Sequence, residues 1–448
     1  MQPASGRWRL AGVGSNTGNS GLPVHLMQAT LQDVFQQHFG QYAKGRVLHP
    51  REYRAAYCIS QCYQPALGMH VLACAQGHVN STQYHACGHR TCPRCAGAAR
   101  QQWLTSQLSK LLPCPHFHVI FTLPHVFLAL WQFNRAVLAQ LLFDCARSSL
   151  LDLCADARHL GAMPGLLMAL HTWGRNLSHH PHMHCLVSAG GLDNSGQWRA
   201  CRPNFLLPLE PLRRLFRGKL LCALQRALAN KQLNLPPLQD SAYWQSVINL
   251  QWHTHWNIQI NQPYAHGRGV AIYLARYVKG GPLGSDRRLH LTGNTVSFAY
   301  FDHADAKRKN LTLTAPEFIS RVLWHAPPKG QHTVRHAGLY ASAHLRQHQL
   351  AFQCLAPTPP PPQPLTLASH AINTQTPTHP VCSVCAAPLR RLFVRPPMHQ
   401  SGEFFKPDPT RPSHLGPTGR CNGHLTGGRA TPPKNCQRGP PACQMPRN

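Results

Sequence analysis

The 448-residue chain is poor in acidic residues. It has 14 Asp and Glu against 44 Lys and Arg, which gives a formal net charge of +30. The glutamates are Glu52, Glu210, Glu317 and Glu403. A mechanism built on paired carboxylates is therefore poorly supplied. A surface this basic attracts polyanions, and nucleic acid is the usual partner because each neutralised phosphate releases counterions.

Two further absences bear on location. The sequence has no apolar run near the roughly 20 residues that a membrane helix needs, and no signal-peptide core after its first ten residues. We therefore expect no membrane association and a cytoplasmic, nucleoid-associated bacterial protein. The 18 cysteines fall into Cys-x-x-Cys-like groups and do not resemble a small secreted disulfide framework. This pattern favours metal binding in a reducing compartment.

The segment from Cys58 to Cys95 combines cysteines and histidines at spacings that predict a zinc-binding module. The predicted ligands are Cys74, His78, Cys87, Cys92 and Cys95. Cys58 and Cys62 are alternative ligands. Because four protein ligands leave no open coordination position, this zinc would be structural. Arg90 and Arg94 flank the module and suit contacts with DNA phosphates.

The stretch SHHPHMHCLV, residues 178–187, predicts a strand with an unusual pair of histidines. Alternate side chains of a strand share a face, so His182 and His184 lie on one side and apolar residues on the other. Two imidazoles on one face can reach the same metal ion. Pro181 is expected to break the strand before His182. A second predicted strand carries the same His-apolar-His pattern at 116–118, as a neighbour that shares the metal or merely packs beside it.

Residues 267–281 read as a short helix between glycines, with Tyr273 and Tyr277 at positions i and i+4. That spacing puts both phenols on one face, about 6 Å apart along the axis. Tyrosine can form a covalent phosphotyrosine that keeps the bond energy for rejoining DNA, and a divalent ion can polarise the phosphate. The alternative is a packed aromatic stripe. Arg276 and Lys279 lie close by in the sequence.

These motifs resemble those of the rolling-circle insertion-sequence transposases, which use HUH endonuclease chemistry and a two-tyrosine motif. The resemblance covers about residues 50–345, and the motifs occur in the family's order. They are HTWGRNLSHHPHMHCLVSAGGL (171–192), YLARYVKGGPL (273–283), FTLP (121–124), LFRGK (215–219) and GHRTCPRC (88–95). Where the family usually offers a Cys-x-x-Cys, this chain has Cys74-Ala-Gln-Gly-His78.

The resemblance implies an α+β fold, with an RRM/ferredoxin-like HUH core around an antiparallel sheet and a small zinc-ribbon-like N-terminal domain. It implies that His182 and His184 hold Mg²⁺ or Mn²⁺ on a central strand. Tyr273 and Tyr277 would form 5′-phosphotyrosine links with single-stranded DNA at the element's ends.

Magnesium prefers oxygen ligands, so a two-histidine site also needs water, phosphate oxygens and a third side chain. The candidates for that side chain are His116, His118 and Gln259.

The expected domains are an N-terminal extension (1–45), a zinc-binding, DNA-binding domain (46–108), a catalytic domain (109–345) and a Pro-rich, largely disordered tail (346–448). Cys382 and Cys385 form a lone half-site in that tail. Two other functions stay open at this point: a rolling-circle replication initiator or relaxase, and a non-catalytic zinc-dependent DNA-binding protein. Self-association of the chain is also left open.

Overall fold

The computed structural model describes residues 27–264, 281–284, 287–302, 305–328, 330–355 and 381–394. Within these ranges the helices are α1 (Leu31–Ala43), α2 (Pro50–Gln61), α3 (Pro93–Leu108), α4 (Leu128–Phe133), α5 (Arg135–Ala155), α6 (Leu209–Ala229), α7 (Ser241–Leu250), α8 (Ala315–Leu323) and α9 (Leu345–Leu355). The strands are β1 (Met27–Ala29), β2 (Met69–Ala73), β3 (Val79–Tyr84), β4 (His116–Thr122), β5 (Met163–Trp173), β6 (His179–Leu192), β7 (Trp198–Ala200), β8 (Ile258–Tyr264), β9 (Leu289–Thr292), β10 (Thr295–Asp302), β11 (Lys307–Thr314), β12 (Val334–Gly338) and β13 (Arg390–Val394).

The largest sheet is antiparallel and has the strand order β12-β5-β6-β4-β8, with β7 paired to β6. One face of β6 carries Met183, Cys185 and Val187, which are fully buried in a core shared with α4, α5, α6 and α7. The other face carries His182 and His184. The alternation predicted from the sequence is therefore confirmed, because the helices α4 to α7 pack on the apolar face and the histidines lie on the opposite one.

The expectation that Pro181 breaks the strand is wrong. β6 begins at His179 and runs through Pro181. Its neighbour β4 ends at Thr122, opposite His182, so the missing amide of Pro181 falls beyond the ladder between these strands. The carbonyl of Pro181 still accepts a hydrogen bond from the amide of Leu123, at 3.1 Å.

A second core lies between the sheet β1-β9-β10-β11 and the helices α1, α2 and α8. These helices come from the predicted N-terminal extension, zinc-binding domain and catalytic domain respectively, and they pack together. α8 begins where Thr314 caps it by accepting a hydrogen bond from the Glu317 amide. Leu177, in the turn between β5 and β6, is fully buried in this core at a φ of 65°. The turn is thereby anchored to a second body of structure.

The third sheet has the order β13-β2-β3 and joins distant parts of the chain. The expectation of a disordered tail over 346–448 is wrong for two parts of it. Residues 345–355 form α9, and β13 pairs antiparallel with β2 from Arg390 opposite Ala73 to Val394 opposite Met69. The segment of β13 has too few apolar residues to fold alone. It forms a strand because β2 provides hydrogen-bonding partners for its backbone. Residues 356–380 and 395–448 lie outside the described residues.

Among the helices of the described part of the chain, none combines the length and apolarity needed to cross a bilayer.

Candidate functional site

Three histidines converge on the face of the largest sheet that lies opposite its apolar core. His171 near the end of β5 lies directly opposite His182 on β6, and His184 follows two residues later on the same face. One ring nitrogen from each of the three lies within 4.8 Å of the others. The hairpin made by β5 and β6 therefore supplies a complete set of three nitrogen donors.

The three imidazoles are held in the neutral form. Burial, aided by the neighbouring imidazoles, holds the pKa of His171 and of His184 well below the ordinary value. Burial also lowers the pKa of His182 to about 4. Nδ1 of His182 donates to the carbonyl of His180 at 2.5 Å, so its Nε2 carries the lone pair. A neutral imidazole whose other nitrogen is hydrogen-bonded is the form that binds metal ions.

The neighbouring strand β4 brings His118 behind this cluster. Nε2 of His118 lies 2.8 Å from Nδ1 of His184, and Nδ1 of His118 lies 3.3 Å from Nδ2 of Asn261. His118 thus contacts a member of the cluster. His116 on the same strand is bonded elsewhere: its Nδ1 donates to the Cys114 carbonyl at 2.8 Å, and its Nε2 accepts from the Tyr340 hydroxyl at 2.6 Å.

Of the candidates for a third ligand, His116 and His118 lie outside the three-histidine group. Gln259 lines the same cleft as the three histidines. The third member of the group is His171, which was not among the residues predicted from the sequence. The sequence over residues 163–192 does contain a clue to His171. Two strands joined by a short turn form an antiparallel hairpin, and in this hairpin His171 pairs with His182. Spacing along the chain alone does not reveal that pairing.

The histidines line an open cleft of about 360 Å³. Its walls include Arg175 and Arg287, and Pro282 from the segment that follows the predicted tyrosine helix. The predicted residues Tyr273, Arg276, Tyr277 and Lys279 lie outside the described residues.

The predicted zinc ligands fall into two separate groups in the structure. Cys87, Cys92 and Cys95 gather with Cys62, with Sγ–Sγ distances of 3.4 Å from Cys62 to Cys95 and 3.5 Å from Cys87 to Cys95. A tetrahedral zinc with Zn–S bonds of about 2.3 Å requires sulfur atoms about 3.8 Å apart, which these four thiols approach.

Cys74 and His78 do not join that group. They lie instead against Cys382 and Cys385, the pair that the sequence reading left as a lone half-site. The five candidate ligands of one predicted zinc site are therefore divided, within the described residues, between two four-residue clusters. β2 and β3 carry Cys74 and His78 away from Cys92, and the pairing of β13 with β2 brings in the missing half.

Arg90 and Arg94 occupy different surroundings. Arg90 lies close enough to His171 to lower the pKa of that imidazole, and burial lowers the pKa of Arg90 itself to about 10. Arg94 donates to Oε1 of Gln32 at 2.8 Å and to the Cys62 carbonyl at 3.3 Å. Part of the hydrogen-bonding capacity of Arg94 is therefore used within the protein.

A strongly basic α+β chain with thiol clusters and a histidine-lined cleft belongs to the class of metal-binding proteins that act on DNA. Residues 34–123 match the family model described as "Transposase zinc-binding domain", and residues 165–348 match the one described as "Putative transposase". No solved structure matches the chain.

Two curated relatives extend these matches over most of the chain. The first is "Putative transposase y4qJ" of Sinorhizobium fredii, 36% identical over 329 residues, which are 72% of this chain and 82% of the relative. The second is the "Transposase for insertion sequence element IS801" of Pseudomonas savastanoi pv. phaseolicola, 33% identical over 315 residues, which are 68% of this chain and 74% of the relative. The chain belongs to this family of insertion-sequence transposases. It is a DNA transposase with an N-terminal zinc-binding domain.

Proposed function

We propose that this transposase nicks and joins single-stranded DNA by HUH chemistry, with His171, His182 and His184 as metal ligands. The observation that carries the proposal is the convergence of their three imidazoles, from two paired strands, at the base of an open cleft. His171 and His184 are buried, and the partly exposed His182 borders the cleft, so the cluster has access to a ligand from one side.

The residues fit a divalent ion that keeps open positions. The three neutral nitrogens would hold the ion, and the adjoining cleft has room for phosphate oxygens and water. When bound, the ion would act as a Lewis acid that withdraws charge from the scissile phosphate. Imidazole ligands suit Mg²⁺ poorly, since that ion prefers oxygen donors. We therefore expect Mn²⁺ to support the reaction better than Mg²⁺.

The tyrosine nucleophiles are assigned from the sequence motif, and chain length supports their access to the cleft. Pro282 lines the cleft, and five residues span at most about 18 Å, so the backbone of Tyr277 lies within that distance of Pro282. Gly281 packs so closely on Thr91 that a Cβ would lie 2.9 Å from the Thr91 carbonyl oxygen, and Leu283 is buried in the second core. Residues 281–283, which follow the two tyrosines in sequence, are held by these contacts, and Pro282 lies in the cleft that the histidines line.

In the proposed step, the phenolic oxygen of one tyrosine attacks the phosphorus of the scissile phosphate and loses its proton to water. The bond to the 3′ oxygen breaks, and that oxygen takes up a proton to become a free 3′-hydroxyl. The product is a 5′-phosphotyrosine link. Attack on this link by another 3′-hydroxyl reforms a phosphodiester and releases the tyrosine, so Tyr273 and Tyr277 can act in turn.

Basic side chains around the cleft suit the DNA backbone. Arg175 and Arg287 line it directly, and Arg90 lies beside His171. Arg276 and Lys279 stay predicted contacts from the sequence, and Arg94 is assigned a weaker role because it is bonded to Gln32. Guanidinium groups form paired hydrogen bonds with phosphate, which positions a strand without reading its sequence.

Cys62, Cys87, Cys92 and Cys95 are proposed to hold the structural zinc of the N-terminal domain. Cys62 ends α2 and Cys92 precedes α3, and both are buried in the second core. From this cluster α3 extends over the histidine-bearing face of the sheet, where Trp103 packs on Leu167, Ala169 and Leu186. The zinc would therefore fix one wall near the catalytic cleft.

The decisive measurement uses labelled single-stranded DNA that carries the element's end, incubated with the protein and Mn²⁺. We expect a covalent protein–DNA adduct that survives denaturation and is absent for His182→Ala. An adduct of unchanged yield from the His182→Ala protein would remove the metal-assisted mechanism. Both curated relatives are named as transposases, which favours transposition over the replication-initiator alternative.

A further inference from the structure

We propose a second zinc site, formed by Cys74 and His78 from the N-terminal domain and by Cys382 and Cys385 from the C-terminal part of the chain. It is distinct from the cluster of Cys62, and residues 382 and 385 lie outside the segment that matches the zinc-binding domain. The expected ligand set is three thiolates and one imidazole, a common structural zinc set.

The distances between the four side chains agree with tetrahedral zinc. The Cys74 and Cys385 sulfur atoms lie 3.6 Å apart. Nδ1 of His78 lies 3.5 Å from Sγ of Cys74 and 3.8 Å from Sγ of Cys382. Bonds of about 2.3 Å to sulfur and about 2.0–2.1 Å to nitrogen give tetrahedral edges of about 3.8 Å and about 3.6 Å. One cation therefore fits all four ligands.

The backbone on both sides is bent into the tight turns that present paired ligands. In the first turn, the Gly77 amide donates to the Cys74 carbonyl at 3.0 Å, and Gly77 has a φ of 85° that suits glycine. In the second turn, the Ala386 amide donates to the Cys382 carbonyl at 2.9 Å. The Val384 amide also donates to Sγ of Cys382 at 3.4 Å.

The sheet that carries these turns has little apolar interior to hold it together. In β3, Asn80 is half-buried and the other five residues are exposed, while Ala73 is the buried residue of β2. Val79 and Leu392 are 62% and 52% exposed. Five residue pairs between β13 and β2 do not suffice for a stable docking in water. A metal ion with ligands from both segments would stabilise the association of β13 with β2, as structural metal ions do in other small modules.

A zinc ion at this site would cross-link two distant parts of the chain. Cys74 and Cys385 are 311 positions apart in sequence. The catalytic sheet lies between these positions in sequence, so the N-terminal DNA-binding domain and the C-terminal segment become one module. We infer that the C-terminal half-site belongs to that domain and is not a detached tail.

The test is zinc counting on the full-length protein purified from zinc-supplemented medium. We expect about two zinc ions per chain for the wild type and about one for the Cys382→Ser/Cys385→Ser variant. The matched control is Cys354→Ser, which removes an exposed thiol outside both clusters and should keep about two. A wild type with one zinc or fewer, or a double variant that still holds two, overturns the proposal.

A second measurement needs no variant and covers the case in which the double variant fails to fold. The native protein is alkylated with N-ethylmaleimide before and after chelation, and each cysteine is followed by mass spectrometry. Cys382 and Cys385 should be protected until the chelator is added, while Cys354 reacts throughout. Reaction of Cys382 and Cys385 before chelation, or protection that persists after zinc is removed, contradicts the site.

Discussion

The imidazole rings of His171 and His182 meet edge to face across paired strands, with centroids 5.3 Å apart and planes inclined by 85°. This relationship depends on the register of the hairpin between β5 and β6. A slip of one residue in either strand would turn its histidines onto the apolar face. The buried turn residue Leu177, whose φ is 65°, helps to keep that register by anchoring the hairpin in the second core.

We predict that His171→Ala impairs metal binding and nicking without changing DNA binding. Removal of one of three nitrogen ligands should raise the Mn²⁺ concentration for half-maximal adduct formation by at least about 100-fold, since even outer partners of metal ligands are worth about 10–100-fold. The measurement is a Mn²⁺ titration of adduct yield. His253→Ala changes an exposed histidine and should match the wild type. An unshifted titration for His171→Ala would exclude it as a ligand.

The tyrosine pair yields a second prediction. Tyr273→Phe and Tyr277→Phe should each lose one step, cleavage or strand transfer, and the double variant should form no adduct, because phenylalanine has no nucleophilic oxygen. Tyr243→Phe alters an exposed tyrosine on α7 and serves as the control. Denaturing gels of labelled single-stranded DNA separate the two steps. Adduct formation by the double variant would require a different nucleophile.

Local patterns in the sequence correctly predicted the two faces of β6, the strand that carries His182 and His184. The two-residue period of a strand is a property of the backbone, so placing His182 and His184 opposite Met183 and Cys185 required only the apolar run. The same holds for the capping role of Thr314, which acts on the amide of Glu317 three residues later. Such features are determined within a few residues and can therefore be read directly.

Features that depend on distant pairing could not be read in that way. The meeting of Cys74 with Cys385 depends on β13 pairing with β2, and spacing along the chain carries no record of it. His171 was missed for the same reason on a smaller scale, because its role follows from hairpin register. Composition was misleading as well: a short strand in a proline-rich region folds when another sheet supplies its partners.

The contact between His118 and His184 predicts a positioning role for His118. His118→Ala should weaken Mn²⁺ binding by about 10–100-fold, because the His184 ring loses the hydrogen bond that orients it. His118→Gln can keep one hydrogen bond and should restore part of the affinity. Affinity is measured by Mn²⁺ titration with the melting temperature recorded in parallel. An equal loss for both variants, tracking the melting temperature, would indicate a packing role only.

The N-terminal thiol cluster predicts separable effects on DNA binding and chemistry. Cys92→Ser should release one zinc ion and lower affinity for long DNA, because the ligand set around the start of α3 is broken. Cleavage of a short single-stranded oligonucleotide at saturating concentration should be reduced far less. Cys354→Ser is again the control. Full retention of zinc by Cys92→Ser would contradict its place in the cluster.

His116 is a buried, neutral histidine outside the three-histidine group. We predict that it makes the folded protein less stable in acid. Burial lowers the pKa of His116 to about 4, and the ring is bonded to the Tyr340 hydroxyl and the Cys114 carbonyl. The unfolded chain takes up this proton below about pH 6.5, whereas the folded protein does not until about pH 4, so stability falls over that window as the pH decreases. The slope from one such group is about 1.4 kcal/mol per pH unit.

Replacement of His116 by a residue that does not titrate should remove the contribution of His116 to the dependence of unfolding free energy on pH. We expect His116→Asn to be less stable than the wild type at pH 7, because a packed ring is lost, but to lose less further stability between pH 6.5 and pH 4.5. Urea unfolding followed at several pH values, with zinc present throughout, measures the difference. The control is His253→Ala, which removes an exposed histidine. Parallel pH profiles for His116→Asn and the wild type would show that His116 takes up its proton over the same pH range in the folded and unfolded protein.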